Sequence, residues 1–274
     1  MKVGIVGYGY WGKIIYANLK NFVDDESIFI YDSISAIGRL EDIYQCDKVF
    51  VITPTITHFD IVKDLLSRGI DVFCEKPLTT HTKECELLYD IAQTNKSQLF
   101  VDWIFTFNDA VNYIKDEYEN GSYGGIRSVR MNRLNSGPER KDVSAKWDLT
   151  SHDVSILCHL FGKIPNNVLW NLYKRSDSSF VSDTCVGILM YDNFDAILHS
   201  SWEYGKKDRV CIFEFDAGFV KWDDASSEIK FNGDLVDYPR TKNPLENSIE
   251  AFLYKDFNQK NLTLDIVRIL EQGE

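Results

Sequence analysis

Lys2-Val3-Gly4-Ile5-Val6-Gly7-Tyr8-Gly9-Tyr10-Trp11-Gly12 is the stretch on which the fold turns. The run from Val3 to Val6 reads as a buried strand, and residues 10–21 carry a helical pattern. Between them Gly7, Gly9 and Gly12 stand in the spacing GxGxxG. The first glycine permits a tight turn, the second lets backbone approach a pyrophosphate, and the third lets the helix lie close to the sheet. The helix start adds unpaired N–H groups and a partial positive charge. Gly7, Gly9, Tyr10, Trp11 and Gly12 are therefore expected to hold a dinucleotide. Twenty residues past Gly12, at the end of the second expected strand, stands Asp32, whose carboxylate suits adenosine ribose hydroxyls. Ser33, Ile34 and Ser35 follow it, and Arg39 is the nearest base. This pattern favours NAD over NADP.

Working outward, apolar runs at 3–6, 28–31, 48–52, 71–74 and 98–101 alternate with helical patterns at 10–21, 58–67 and 82–95. Strand and helix in repeated order predict a doubly wound parallel sheet of the Rossmann type over residues 1–106. Beyond it the pattern changes to a helix at 109–119, a glycine-rich turn at 121–125, and strands at 126–134, 168–174, 184–191, 196–203, 209–215 and 219–222. A helix at 151–160 interrupts them. Residues 107–274 are thus expected to form an α+β domain with a large, mostly antiparallel sheet. The tail from 244 to 272 reads as closing helices, the last packing back on the first domain. The fold class as a whole is α/β.

A chain of 274 residues, 44% hydrophobic, has material for one large core or two modest ones. Its net charge of -12 argues against nucleic acid or an anionic membrane as partner, since both need a positive footprint. The six cysteines lack metal-like or disulfide-framework spacing and are expected as buried thiols, and the five histidines are dispersed, so no metal is expected. No apolar run approaches the roughly 20 residues of a membrane span. The chain enters a strand at once, without a leader, and is read as cytoplasmic.

Two stretches carry candidate chemistry. Glu75-Lys76-Pro77-Leu78 follows the fourth strand, at the carboxyl edge of the sheet, where such folds bind ligands. Trp147-Asp148-Leu149-Thr150-Ser151-His152-Asp153 sets an acid and an imidazole four residues apart at a helix start, on one face. Histidine suits proton exchange near neutrality, although such a pair also fits a helix cap followed by a satisfied polar residue. Trp103, Phe105, Arg133 and Asn135 are candidate substrate contacts, and Arg140, Lys141 and Lys146 would suit a phosphate or carboxylate. The same residues also read as core aromatics and solvated charges.

With these residues in hand, the chain resembles the Gfo/Idh/MocA oxidoreductases over essentially its whole length. The resemblance rests on the glycine turn, on Thr53-Pro54 through His58, on Glu75-Lys76-Pro77-Leu78, and on Asp148 with His152. It implies that Thr53, Pro54, His58, Glu75 and Pro77 shape the cofactor loop and that the Lys76–Pro77 peptide is cis. It also implies that Lys76, Asp148 and His152 flank the substrate carbon beside the nicotinamide. The activity implied is an NAD-dependent dehydrogenase or ketoreductase of a sugar or nucleotide sugar. An inositol or polyol dehydrogenase and a non-catalytic NADH-binding sensor or scaffold are the alternatives. Association as a homodimer or homotetramer through the second-domain sheet is implied as well.

Overall fold

The computed structural model describes residues 1–175 and 181–273, which divide into two compact units. The first unit comprises Met1–Ile104 and Lys242–Val267. Its strands β1 (Val3–Val6), β2 (Ile28–Tyr31), β3 (Lys48–Val51), β4 (Asp71–Cys74) and β5 (Leu99–Val101) form one parallel sheet in the order β2-β1-β3-β4-β5. The crossovers carry helices α1 (Tyr10–Leu19), α2 (Leu40–Ile43), α3 (His58–Ser67) and α4 (Thr82–Asn95). The strand order reverses at β1, so the carboxyl ends of β1 and β3 open a crevice on either side of the glycine turn. All residues of β1 are buried, as a sheet covered on both faces requires.

The return of the chain to this unit has a clear physical cause. Phe50, Phe73 and Phe100 stand side by side on β3, β4 and β5, with ring centroids 4.6 and 5.2 Å apart. Phe252, from the helix Pro244–Tyr254, packs edge-on against Phe50 at 5.2 Å and Phe73 at 5.6 Å. That helix starts with Asn243 and Glu246 in a reciprocal capping box and with Pro244 in its first turn. Gln259 then accepts from the Val101 amide at 3.0 Å.

The second unit comprises Phe105–Thr241 and Arg268–Glu274. It opens with α5 (Asp109–Glu119), capped by Asn108 through the amides of Ala110 and Val111. β6 (Ile126–Ser136) leads to a single π turn, Lys146–Thr150, that runs into α6 (Ser151–Phe161). The strands that follow are β7 (Asn167–Tyr173), β8 (Thr184–Met190), β9 (Asp195–Ser201), β10 (Glu203–Asp208), β11 (Val210–Phe215), β12 (Gly218–Asp223), β13 (Glu228–Phe231) and β14 (Asp234–Val236). They build one sheet in the order β14-β13-β12-β11-β6-β9-β8-β7, with β10 beside β6, and among the described residues only β6 with β9 runs parallel. The expected parallel sheet and the large mixed, mostly antiparallel sheet are both present. All six cysteines are buried, and none is in a disulfide. Among the described residues no helix is long and apolar enough to cross a membrane.

Candidate active site

In the first unit the glycine turn is shaped by backbone crowding on one side and open space on the other. Gly7 has φ +95°, and a Cβ there would meet the Ile52 carbonyl oxygen at 2.6 Å. A Cβ on Gly12 would meet the Gly7 carbonyl oxygen at 2.2 Å, so α1 is able to sit this close only without a side chain. Gly9 faces nothing within 4 Å, which leaves room for a ligand to reach the backbone. Gly9 is also the N-cap of α1; it has no side chain to cap with, and the first turn has no acid, so the orphan N–H groups and the helix dipole stay available to an anion. Tyr10 beside it is 83% exposed. These features fit a dinucleotide pyrophosphate.

Asp32 lies beyond β2 and accepts from the amides of Tyr8 and Ser35, each at 2.7 Å. These two backbone donors, Tyr8 first, hold its carboxyl below the usual range, so it is ionised at neutral pH. Each carboxylate oxygen retains a lone pair for a ribose hydroxyl. Arg39, the nearest base, is exposed and pairs with Asp42 at 2.8 Å.

Beyond β4 comes the turn Glu75-Lys76-Pro77. The Glu75 amide donates to the Val51 carbonyl at 3.0 Å, and the Lys76–Pro77 peptide is cis, as is Gly137–Pro138. The Glu75 carboxylate accepts from the Trp11 indole, which ties this turn to the start of α1, and from the Lys76 amide at 3.3 Å. His58 is buried at the start of α3, with Nδ1 2.9 Å from the Pro77 carbonyl oxygen and Nε2 2.9 Å from that of Thr53. Its ring thus bridges the turns after β3 and β4. Thr57 adds a hydroxyl contact to Thr53 at 2.8 Å and to the Pro54 carbonyl at 2.7 Å. Trp103 is fully buried, and its indole donates to Thr263 at 3.0 Å, which gives it a core position.

In the second unit the π turn carries Asp148, and α6 carries His152. Asp148 accepts from the Trp202 indole at 3.1 Å and from Arg140 at 3.4 Å. The His152 ring meets Phe105 edge-on at 5.2 Å, and the Arg133 guanidinium lies 4.5 Å from the centroid of the same Phe105 ring. Arg133 is 2% exposed; its Nε and Nη2 donate to Asp153 Oδ1 at 2.9 and 2.7 Å, and Nη1 lies 3.8 Å from Asp224. Burial pushes the Asp153 carboxyl up, and the guanidinium opposes the shift. Arg133 was expected to contact substrate; in this unit it instead braces Phe105 and the first turn of α6, because its charge is already balanced in the core.

Two of the three bases expected to bind an anion, Arg140 and Lys146, are also taken up internally. Arg140 pairs with Asp142 at 2.7 Å as well as with Asp148. Lys146 is fully buried and donates to the Leu270 carbonyl at 2.8 Å. Lys141 is exposed. Two features had no signal in the sequence: the Trp11–Glu75 bond joins residues 64 positions apart, and the Trp202–Asp148 bond joins residues 54 apart.

A family model for oxidoreductases with an NAD-binding Rossmann fold, GFO_IDH_MocA, matches residues 16–103, which hold His58 and Glu75-Lys76-Pro77 and begin beyond the glycine turn. The chain is 26% identical over 181 residues, 61% of its length, to UDP-N-acetylglucosamine 3-dehydrogenase of Acidithiobacillus ferrooxidans, spanning 56% of that protein. It is 26% identical over 250 residues, 81% of its length, to scyllo-inositol 2-dehydrogenase (NADP(+)) IolW of Bacillus subtilis, spanning 69% of it. The rhizopine catabolism protein MocA of Rhizobium meliloti is 25% identical over 186 residues, 61% of this chain and 59% of that one. Among solved structures, UDP-N-acetylglucosamine 3-dehydrogenase GnnA from Acidithiobacillus ferrooxidans superposes with TM-score 0.85 at 20% identity, covering 99% of this chain and 96% of that one. Over residues 16–103 the chain thus matches the model of the Gfo/Idh/MocA oxidoreductases, and over a longer stretch it is similar to the dehydrogenases named above.

Proposed function

We propose that the protein is an NAD(H)-dependent oxidoreductase that exchanges a hydride with a secondary hydroxyl or keto carbon of a sugar or nucleotide sugar. The observation that carries this reading is the Glu75-Lys76-Pro77 turn, which stands at the carboxyl edge of the parallel sheet and is tied to the glycine cradle through Trp11. Similarity to a UDP-N-acetylglucosamine 3-dehydrogenase supports the substrate class. Asp32, ionised and without an adjoining free base, favours NAD over NADP.

When bound, the nicotinamide accepts or returns the hydride. Gly7, Gly9, Tyr10, Trp11 and Gly12 bind the pyrophosphate, Asp32 binds the ribose, and Thr53, Pro54, His58, Glu75 and Pro77 hold the neighbouring turns in shape. Lys76 donates to the substrate oxygen and stabilises negative charge on it. His152 takes the hydroxyl proton in oxidation and returns it in reduction. Asp148, oriented by Trp202 and Arg140, accepts from a neighbouring hydroxyl. Trp103 supports its own unit through Thr263, and Arg133 supports His152 through Phe105.

The wider match to scyllo-inositol 2-dehydrogenase (NADP(+)) favours a second reading, in which the substrate is an inositol or other polyol. The test is to mix the protein with NAD+ or NADP+ and a panel of nucleotide sugars, free sugars and inositols, and to follow the reduced cofactor by absorbance. Turnover with a sugar class and NAD+, abolished in Lys76→Ala and reduced at least about a hundredfold in His152→Asn, is expected. Near-normal turnover of His152→Asn across pH would overturn its role.

We further propose that the protein self-associates through the open face of its second sheet. Leu169, Ile188, Ile197, Arg130, Ile212, Lys221, Lys230 and Leu235 stand opposite one another across β7, β8, β9, β6, β11, β12, β13 and β14. The five apolar members of that row are exposed. A two-fold pairing would cover such a row with its own copy.

A further inference from the structure

Asp102, directly after β5, has no part in the reading above. Its amide donates to the Cys74 carbonyl at 2.9 Å, so the sheet register sets it immediately behind the Glu75-Lys76 turn. The residue is 2% exposed, and Oδ1 has no hydrogen-bond partner among the described residues. Glu75 and Lys76 are the charged groups that face it, and the Ser248 hydroxyl, from the helix Pro244–Tyr254, reaches the same carboxyl.

Ser248 Oγ gives its own hydrogen to the Leu245 carbonyl at 3.1 Å. With that hydrogen on Leu245 a protonated Asp102 can donate to Ser248; turned toward Asp102 instead, the hydroxyl favours the ionised carboxyl, but burial is the larger effect and holds the acid neutral. The charge count agrees. Two carboxylates beside one ammonium leave one negative charge unbalanced, and of the two acids Asp102 is buried whereas Glu75 is half-buried, so Asp102 is the one that takes up a proton. Glu75 is the one that stays ionised, because its oxygens accept N–H groups from Trp11 and Lys76. Burial pushes the Asp102 carboxyl well above the usual range, and the Glu75 charge adds to the push.

We propose that Asp102 is a positioning residue for this turn, held as the neutral acid so that Glu75 alone balances the Lys76 ammonium. The proposal rests on the reading of Lys76 as the group that stabilises the substrate oxygen. An ionised Asp102 would draw the ammonium back toward the sheet edge; a neutral one exerts no such pull and leaves the cation to act forward.

The first test uses the full chain without substrate. Infrared spectra of wild type minus Asp102→Asn at neutral pH are expected to show the carbonyl stretch of a protonated carboxyl, shifted in D2O. Other buried acids, such as Asp153, cancel in the difference. Trace acetylation with acetic anhydride across pH, read at Lys76 by peptide mass spectrometry, is expected to give Asp102→Asn a titration midpoint within about half a unit of wild type. Absence of the band, or a midpoint lowered by about one unit or more, means that wild-type Asp102 is ionised and overturns the proposal.

In the hydride-exchange assay, Asp102→Leu is expected to lose at least about tenfold in kcat with little change in KM, and Asp102→Asn to restore most of the loss. If Asp102→Leu lowers only the melting temperature, the positioning role is overturned. If no substrate turns over at all, the function reading fails, while the infrared and acetylation results still decide the charge of Asp102.

Discussion

Asp32 separates cofactor preference from cofactor binding at the scale of one side chain. Its two backbone bonds hold a negative charge on it, and if Asp32 receives the adenosine ribose as proposed, that charge repels a 2′-phosphate. Asp32→Ala should weaken NADH binding about tenfold to a hundredfold, the loss of one or two charge-assisted bonds, and weaken NADPH binding less, as read by nucleotide fluorescence titration. An equal loss for both cofactors would contradict the assignment. His159 illustrates the opposite sign of charge. It sits between α5 and α6 with Nε2 2.8 Å from Asn112 Oδ1, and burial pushes its pKa down from 6.5 to about 4. The unfolded chain takes up this proton near 6.5 and the folded one only near 4, so stability contributed by the neutral ring falls as pH drops through that window. The loss reaches about 3 kcal/mol at most, and urea titrations at pH 7 and pH 4 of wild type and His159→Gln measure it. The turn that carries Lys76 and the helix start that carries His152 were legible in the sequence because each sits in a short local pattern. Asp102 and the Trp11–Glu75 bond were not, since their meaning comes from neighbours in space that the chain reaches only through the sheet.

At the scale of elements, the glycine turn gives two substitutions with different outcomes. Gly12→Ala drives a methyl into the Gly7 carbonyl and should lower the unfolding free energy by about 2 kcal/mol or more, with cofactor binding lost along with the turn. Gly9→Ala meets no protein atom and should keep the melting temperature while weakening NADH binding, because the added methyl would stand in the open space that the proposed reading gives to the pyrophosphate. If Gly9→Ala bound NADH as wild type does, the cradle would be misplaced. Phe252→Ala should cost about 3 to 5 kcal/mol by chemical denaturation, since its ring is buried against Phe50, Phe73 and Phe100. The strands of the first unit were readable because a parallel sheet covered on both faces needs continuous apolar runs. β10, with the sequence Glu203-Tyr204-Gly205-Lys206-Lys207-Asp208, was not, because a mostly polar edge segment has no apolar alternation to detect. The same holds for β14, which is only three residues long. The sequence pattern placed the helix start near Ser151 and missed the π turn before it, since a turn of that kind leaves no periodic mark.

Across the whole molecule, each unit has its own sheet, and the chain crosses between them more than once, which no single cut in the sequence expresses. The exposed row on the second sheet yields a test of assembly. Ile197→Asp should convert a dimer or larger assembly to monomers in size-exclusion chromatography with light scattering, because one buried carboxylate on each side of a two-fold face is unpaired. A monomeric wild type would end that proposal without touching the chemistry. The chemistry itself is tested most directly by single-turnover transfer from NADH deuterated at the nicotinamide C4 to a panel of keto sugars and keto nucleotide sugars, with the products read by mass spectrometry. One deuterium on a carbinol carbon of a single product class, absent with Lys76→Ala, is the expected result. Tight NADH binding with no deuterium in any product would contradict the account.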